Sequence, residues 1–148
     1  MMDDQPQRHK DTKSRFFEAI PPEVEQLAKE TVDSAFKVHS ALGPGLIESV
    51  YRVCLAHELR RRSLKVETEL VIPIVYEGLR LDAGLRIDLL VEGKLIVELK
   101  AVVKMDPVFE AQLLTYLKMT GRRLGLLINF NVMVLRDGIK RVVRKKQK

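Results

Sequence analysis

Two short neighbouring segments limit what this chain can fold into. Arg86-Ile87-Asp88-Leu89-Leu90-Val91 and Leu95-Ile96-Val97-Glu98-Leu99-Lys100 carry apolar residues on both faces of an extended chain. Such strands are normally covered on both sides, as the centre of a sheet flanked by helices. Asp88, Glu98 and Lys100 stand inside them. Two carboxylates and an ammonium in such a setting are costly unless they are paired or hold a cation.

The turn between the segments decides whether these groups meet. Side chains on a strand alternate, so Glu98 and Lys100 share a face. A three-residue loop of Glu92, Gly93 and Lys94 pairs Val91 with Leu95, and hence Asp88 with Glu98. A two-residue loop would set Asp88 opposite Val97 and turn Glu98 away. In the first register two carboxylates repel each other unless a cation lies between them. Mg²⁺ or Mn²⁺ suits that need, since hard divalent ions take oxygen ligands and bind phosphates. Lys100 can then orient a water or stabilise developing charge. The plain alternative is a partly buried salt-bridge cluster of the same three residues.

The surrounding pattern is α/β. Apolar residues at Val24, Leu27, Ala28, Val32, Ala35, Val38 and Leu42 predict an amphipathic helix, ended by Gly43-Pro44-Gly45. Ile47, Val50, Tyr51, Cys54, Leu55 and Leu59 form the stripe of a second helix, closed by Arg60-Arg61-Arg62. These arginines suit either the helix dipole or phosphate contacts. Val66 to Ile74 alternates as a strand, with Pro73 marking an edge or bulge. Glu77-Gly78 reads as a turn, and a second strand runs from Leu79 to Val91 with a break at Ala83-Gly84. Leu95 to Ala101 is the third. Asp106-Pro107 starts a helix that stops at Gly121. Leu124 to Phe130 suits a buried strand, and Asp137-Gly138 predicts a hairpin between Val132–Arg136 and Ile139–Val143. The expected order is ααβββαββ, a mixed β-sheet flanked by helices. His39 is read as a boundary residue and Cys54 as inert core.

Residues 1–20 are expected to form a flexible arm, 21–143 one domain, and 144–148 a basic tail. The chain of 148 residues has 26 Lys+Arg and 20 Asp+Glu. Six basic and no acidic residues lie between Ile139 and Lys148, which leaves 20 of each sign in the first 138. A neutral body with a basic end excludes a uniformly basic, histone-like chain. No apolar run is long enough for a membrane span. A single Cys54 excludes a disulfide framework and a Cys-rich zinc site. A soluble cytoplasmic protein without a secretory signal is the expectation.

Two helical pairs add to the strand residues. Glu48 and Tyr51 are three apart, and Gln112 and Tyr116 are four apart, so each pair shares a helix face. The stretch Leu42-Gly43-Pro44-Gly45-Leu46-Ile47-Glu48-Ser49-Val50-Tyr51 resembles the signature of the GxxExxY protein family, within the PD-(D/E)XK nuclease-like superfamily. The likeness continues through Arg86–Val91, Val97–Ala101, Gln112–Lys118 and Gly125–Phe130. The resemblance implies a restriction-endonuclease-like core. It implies Asp88 as the first catalytic acid and Glu98 with Lys100 as the acid–x–lysine pair. Glu48 would be a helical acid near the metal, and Gln112 and Tyr116 the supporting helix pair. Mg²⁺ or Mn²⁺ would be held by Asp88, Glu98, Glu48 and the carbonyl of Leu99. Ile87 stands where the superfamily name places proline. The implied function is metal-dependent hydrolysis of DNA, less readily RNA. A non-catalytic nucleic-acid-binding or accessory protein that keeps the fold is the alternative. A homodimer is compatible with folds of this type.

Overall fold

The structure is a computed structural model and describes residues 19–145. The expected arm lies almost wholly outside the described residues, as do the last three residues of the basic tail. Helix α1 spans Pro22–Leu42 and α2 spans Glu48–Arg61. Strands β1 (Val66–Tyr76), β2 (Leu79–Val91) and β3 (Leu95–Lys100) follow, then α3 (Pro107–Thr120), β4 (Leu124–Asn129), a 3-10 turn at Leu135–Gly138 and β5 (Ile139–Val143). The order is therefore the expected ααβββαββ. The strands form one five-stranded sheet in sequence order. β3 and β4 are parallel and the other neighbours antiparallel, so the sheet is mixed.

The two apolar faces of the central strands are filled as their composition demands. On one side Leu89, Val91, Leu95, Val97, Leu99, Leu126 and Ile128 pack with Leu27, Ala35, Tyr51, Leu55 and Leu59 of α1 and α2. On the other, Ile87, Leu90, Ile96, Leu127 and Val142 pack with Leu113 and Leu117 of α3. β4 is buried from end to end. Helix α3 has the local signals its sequence carries. Asp106 accepts the Val108 amide at 2.9 Å, Pro107 occupies the first turn, and Gly121 closes the helix at φ 73°.

β1 is the edge strand that Pro73 indicated, and its pairing with β2 shifts register between Ile72 and Ile74. The shift falls opposite Asp82–Gly84, where a side chain at position 84 would collide with Ile74. A second irregularity matters more. Val66 pairs with Val91 and both face α1 and α2, whereas Leu70 pairs with Ile87 and both face α3. The two strands thus change face between these pairs. Glu69, at φ 52°, and Asp88 lie at the change, outside the ladder.

The hairpin expected around Asp137-Gly138 is not formed. Val132–Val134 is irregular, and residues 135–138 make a 3-10 turn. Long-range contacts override the local turn signal. The Val132 carbonyl bonds the His39 ring, Leu135 is buried in the core, and Gly138 packs so closely on the Asn129 carbonyl that no side chain would fit. His39 is thus the boundary residue expected, with its ring on a loop carbonyl. Cys54 is half-buried beside the core and lines a shallow groove with Val38, Leu42 and Val53, so it is less enclosed than expected. The arginine triplet is used internally. Arg60 donates to the Val66 carbonyl, Arg61 pairs with Glu58, and Arg62 pairs with Glu30.

Candidate active site

Asp88 and Glu98 meet because the turn after Val91 has three residues. Val91 pairs with Leu95, Leu90 with Ile96, and Leu89 with Val97. The next step of that register would pair Asp88 with Glu98, but the backbone ladder stops there. The carboxylates take over its work. The Asp88 amide donates to Glu98 Oε2 at 3.0 Å, and the Leu99 amide donates to Asp88 Oδ2 at 2.8 Å. Each acid thereby satisfies a backbone donor on the opposite strand and is fixed in place.

This arrangement concentrates negative charge away from water. Burial first, and the charge of Asp88 second, push the Glu98 carboxyl up to about 8. Glu48, at the first turn of α2, is also raised, by burial and then by Asp88. The Tyr116 phenol is raised by burial and by the charges of Glu98 and Asp88, so this ring lies near the pair from the α3 side. Four elements, α2, β2, β3 and α3, therefore bring Glu48, Asp88, Glu98 and Tyr116 into one electrostatic neighbourhood.

Lys100 is on the same strand but makes no salt bridge. Among the described residues it has no carboxylate within ion-pair distance, and its Nζ sits 4.2 Å from the centre of the Phe109 ring. The partly buried salt-bridge cluster is therefore not what forms. Gln112 is exposed on α3, and the structure gives its side chain no hydrogen bond. Leu99 is buried in the core through its side chain and is engaged at the site through its amide.

Tyr51 serves the site indirectly. Its hydroxyl donates to the Gly43 carbonyl at 2.6 Å and accepts the Leu46 amide at 3.1 Å, and its ring stacks on Phe130 at 4.6 Å. The loop that delivers Glu48 is thus tied to the end of β4. Asn129 was not singled out from the sequence. It is almost fully buried, and its side-chain amide bonds both the amide and the carbonyl of Val102 and also accepts the Asn131 amide. It holds the chain just beyond Lys100. A lone amide in the apolar run Leu124–Phe130 was the signal available.

A family model described as the PD-(D/E)XK nuclease superfamily matches residues 25–142. The chain belongs to that superfamily. The mixed sheet flanked by helices is accordingly a restriction-endonuclease-like core. The crystal structure of SSO0001 is similar with a TM-score of 0.46 and 21% identity, over 85% of this chain and 61% of that one. This chain therefore spans less than two thirds of that protein's length. No protein of curated function matches the sequence. No helix among the described residues is long and apolar enough to cross a membrane.

Proposed function

We propose that the protein is a cytoplasmic divalent-cation-dependent nuclease of the GxxExxY branch, hydrolysing phosphodiester bonds in DNA before RNA. The observation that carries this reading is the interlocked pair of half-buried Asp88 and buried Glu98, which among the described residues has no basic partner in ion-pair contact. The donor set fits Mg²⁺ or Mn²⁺, because it consists of hard oxygen atoms whose mutual repulsion asks for a cation. Asp88, Glu98 and the Leu99 carbonyl would hold the ion, with Glu48 as a further acid. Among the described residues no three Asp, Glu, His or Cys side chains are close enough to enclose an ion. An open site completed by water and phosphate is the arrangement expected for Mg²⁺. When bound, the ion supplies charge neutralisation at the phosphoryl group and a more acidic water.

The other residues act around that centre. Lys100, held over Phe109, presents its ammonium to the attacking water or to the charge that develops on phosphate. Tyr116 stays protonated at neutral pH and can donate to a phosphate oxygen. Gln112, one turn away on the exposed side of α3, can bind or orient the backbone of the substrate. The test is cleavage of duplex, nicked and single-stranded DNA, and of RNA, with Mg²⁺ or Mn²⁺. Wild type should cleave, and Asp88→Ala and Lys100→Ala should not. Equal rates for all three proteins would overturn the mechanism.

A further inference from the structure

The basic end of the chain is built into the fold differently from the other cations. Lys140 pairs with Glu110 at 3.1 Å, and Arg141 makes two bonds to Glu25. These two cations of the basic end are thus paired with acids of the body. Arg144 does not follow them. Its Nε donates to the Arg122 carbonyl at 2.7 Å, while its own carbonyl accepts from Arg123 Nε at 2.8 Å and its amide donates to the Arg123 carbonyl at 2.9 Å. Arg122 Nε in turn donates to the Gly93 carbonyl at 2.9 Å. Guanidinium groups are thus brought together and braced through backbone carbonyls. Among the described residues neither Arg122 nor Arg144 has a carboxylate partner, whereas Arg52, Arg61, Arg62, Arg80, Arg86 and Arg141 all do. Two acids of this end of the sheet, Glu92 beside Gly93 and Glu23 beside Lys94, have other partners. Glu92 takes the Lys65 amide, and Glu23 lies 4.0 Å from Lys94. Exposed Lys145 adds a further positive charge.

Anchoring through Nε, and in Arg122 also through Nη1 to the Thr120 carbonyl at 3.5 Å, leaves Nη2 of Arg122 and both terminal nitrogens of Arg144 without a protein acceptor among the described residues. A planar fork of donors matches phosphate oxygens. The position is informative as well. Leu124 pairs with Val143, so Arg123 and Arg144 flank the entry of β4, while Glu98 and Lys100 pair at Leu127 and Asn129 near its exit. At strand rise the two places are separated by about 15–20 Å. That is the length of about five base pairs.

We propose that Arg122, Arg144 and Lys145, braced by Arg123, form a phosphate-binding exosite that grips nucleic acid at the end of the sheet away from the carboxylate pair. The proposal rests on the nuclease reading for the identity of its ligand and gives that ligand a minimum length. It needs no divalent cation.

The experiment is fluorescence anisotropy with a labelled DNA duplex of about 30 base pairs, in EDTA, over a range of salt concentrations. Wild type should bind. Arg122→Gln/Arg144→Gln should lose about tenfold or more in affinity, with a salt slope shallower by about two. Lys145→Glu lies on the surface and cannot disturb packing. It should also weaken binding, and it decides the matter if the double variant fails to fold. Unchanged affinity and slope in the folded variants would overturn the exosite. So would failure of the wild type to bind the duplex, or displacement of the duplex by polyglutamate at lower concentration than by unlabelled DNA. Cleavage by wild type against Asp88→Ala, measured separately with Mn²⁺, judges the catalytic reading and does not depend on this result.

Discussion

Replacing Glu98 with glutamine should make the cation-free protein more stable at neutral and alkaline pH. In the unfolded chain Glu98 loses its proton near the ordinary 4.5, whereas the folded site retains it up to about 8. Between those values the unfolded state binds fewer protons than the native one, so native stability falls as pH rises. Each unit is worth ~1.4 kcal/mol, which puts the loss on the order of 3 kcal/mol at pH 7 and 5 kcal/mol above pH 8. That is a large share of the 5–15 kcal/mol (roughly) that holds a typical domain together. Glutamine keeps the acceptor for the Asp88 amide and removes the charge. Urea unfolding of both proteins in EDTA, at several pH values, reads the difference directly. The two curves should coincide at acid pH and separate steadily as the pH rises, with the variant more stable. Millimolar Mn²⁺ should close the gap by stabilising the wild type alone. A difference that is constant with pH, or a wild type more stable than the variant at pH 8, would refute the argument that burial and the Asp88 charge outweigh the groups that favour ionised Glu98.

Three further outcomes follow from other contacts. Lys100→Met should abolish cleavage while leaving Mn²⁺ affinity within a few-fold by calorimetry, because Lys100 is held by Phe109 and is not ion-paired with the carboxylates. Tyr51→Phe should cost about 1 kcal/mol in urea unfolding, since it leaves the Gly43 carbonyl and the Leu46 amide without their shared partner. Asp106→Ala removes the cap of α3 and should cost about 1 kcal/mol in the same assay, without changing the affinity for cation.

The sequence was most legible where a local signal and a burial pattern agreed. The three-residue turn with Gly93 at its centre set the partner of Asp88, because pairing Val91 with Leu95 fixes the rest of the register. Asp106-Pro107 and Gly121 likewise bounded α3 on their own chemistry. Misreading began where distant contacts decided. The Val132 carbonyl is claimed by His39, 93 residues earlier, and nothing local to Val132–Arg136 announces that. The change of face between the Val66–Val91 and Leu70–Ile87 pairs was similarly hidden, because strands apolar on both sides look the same whichever way they turn. Lys100 suggested an ion pair by its spacing, but Phe109 enters from another element and takes it.

The way Asp88 and Glu98 replace the missing ladder bonds makes the site observable from the backbone. Two amide protons, those of Asp88 and Leu99, rest directly on the two carboxylates. Their nitrogen and proton chemical shifts should therefore move when Glu98 changes its protonation or when either acid engages a cation. Filling of the centre can be followed in solution at two named peptide groups, without substrate and without a label. The same two bonds stitch β2 to β3 at this point, so charge in the site and the joining of the strands are a single quantity read in two ways.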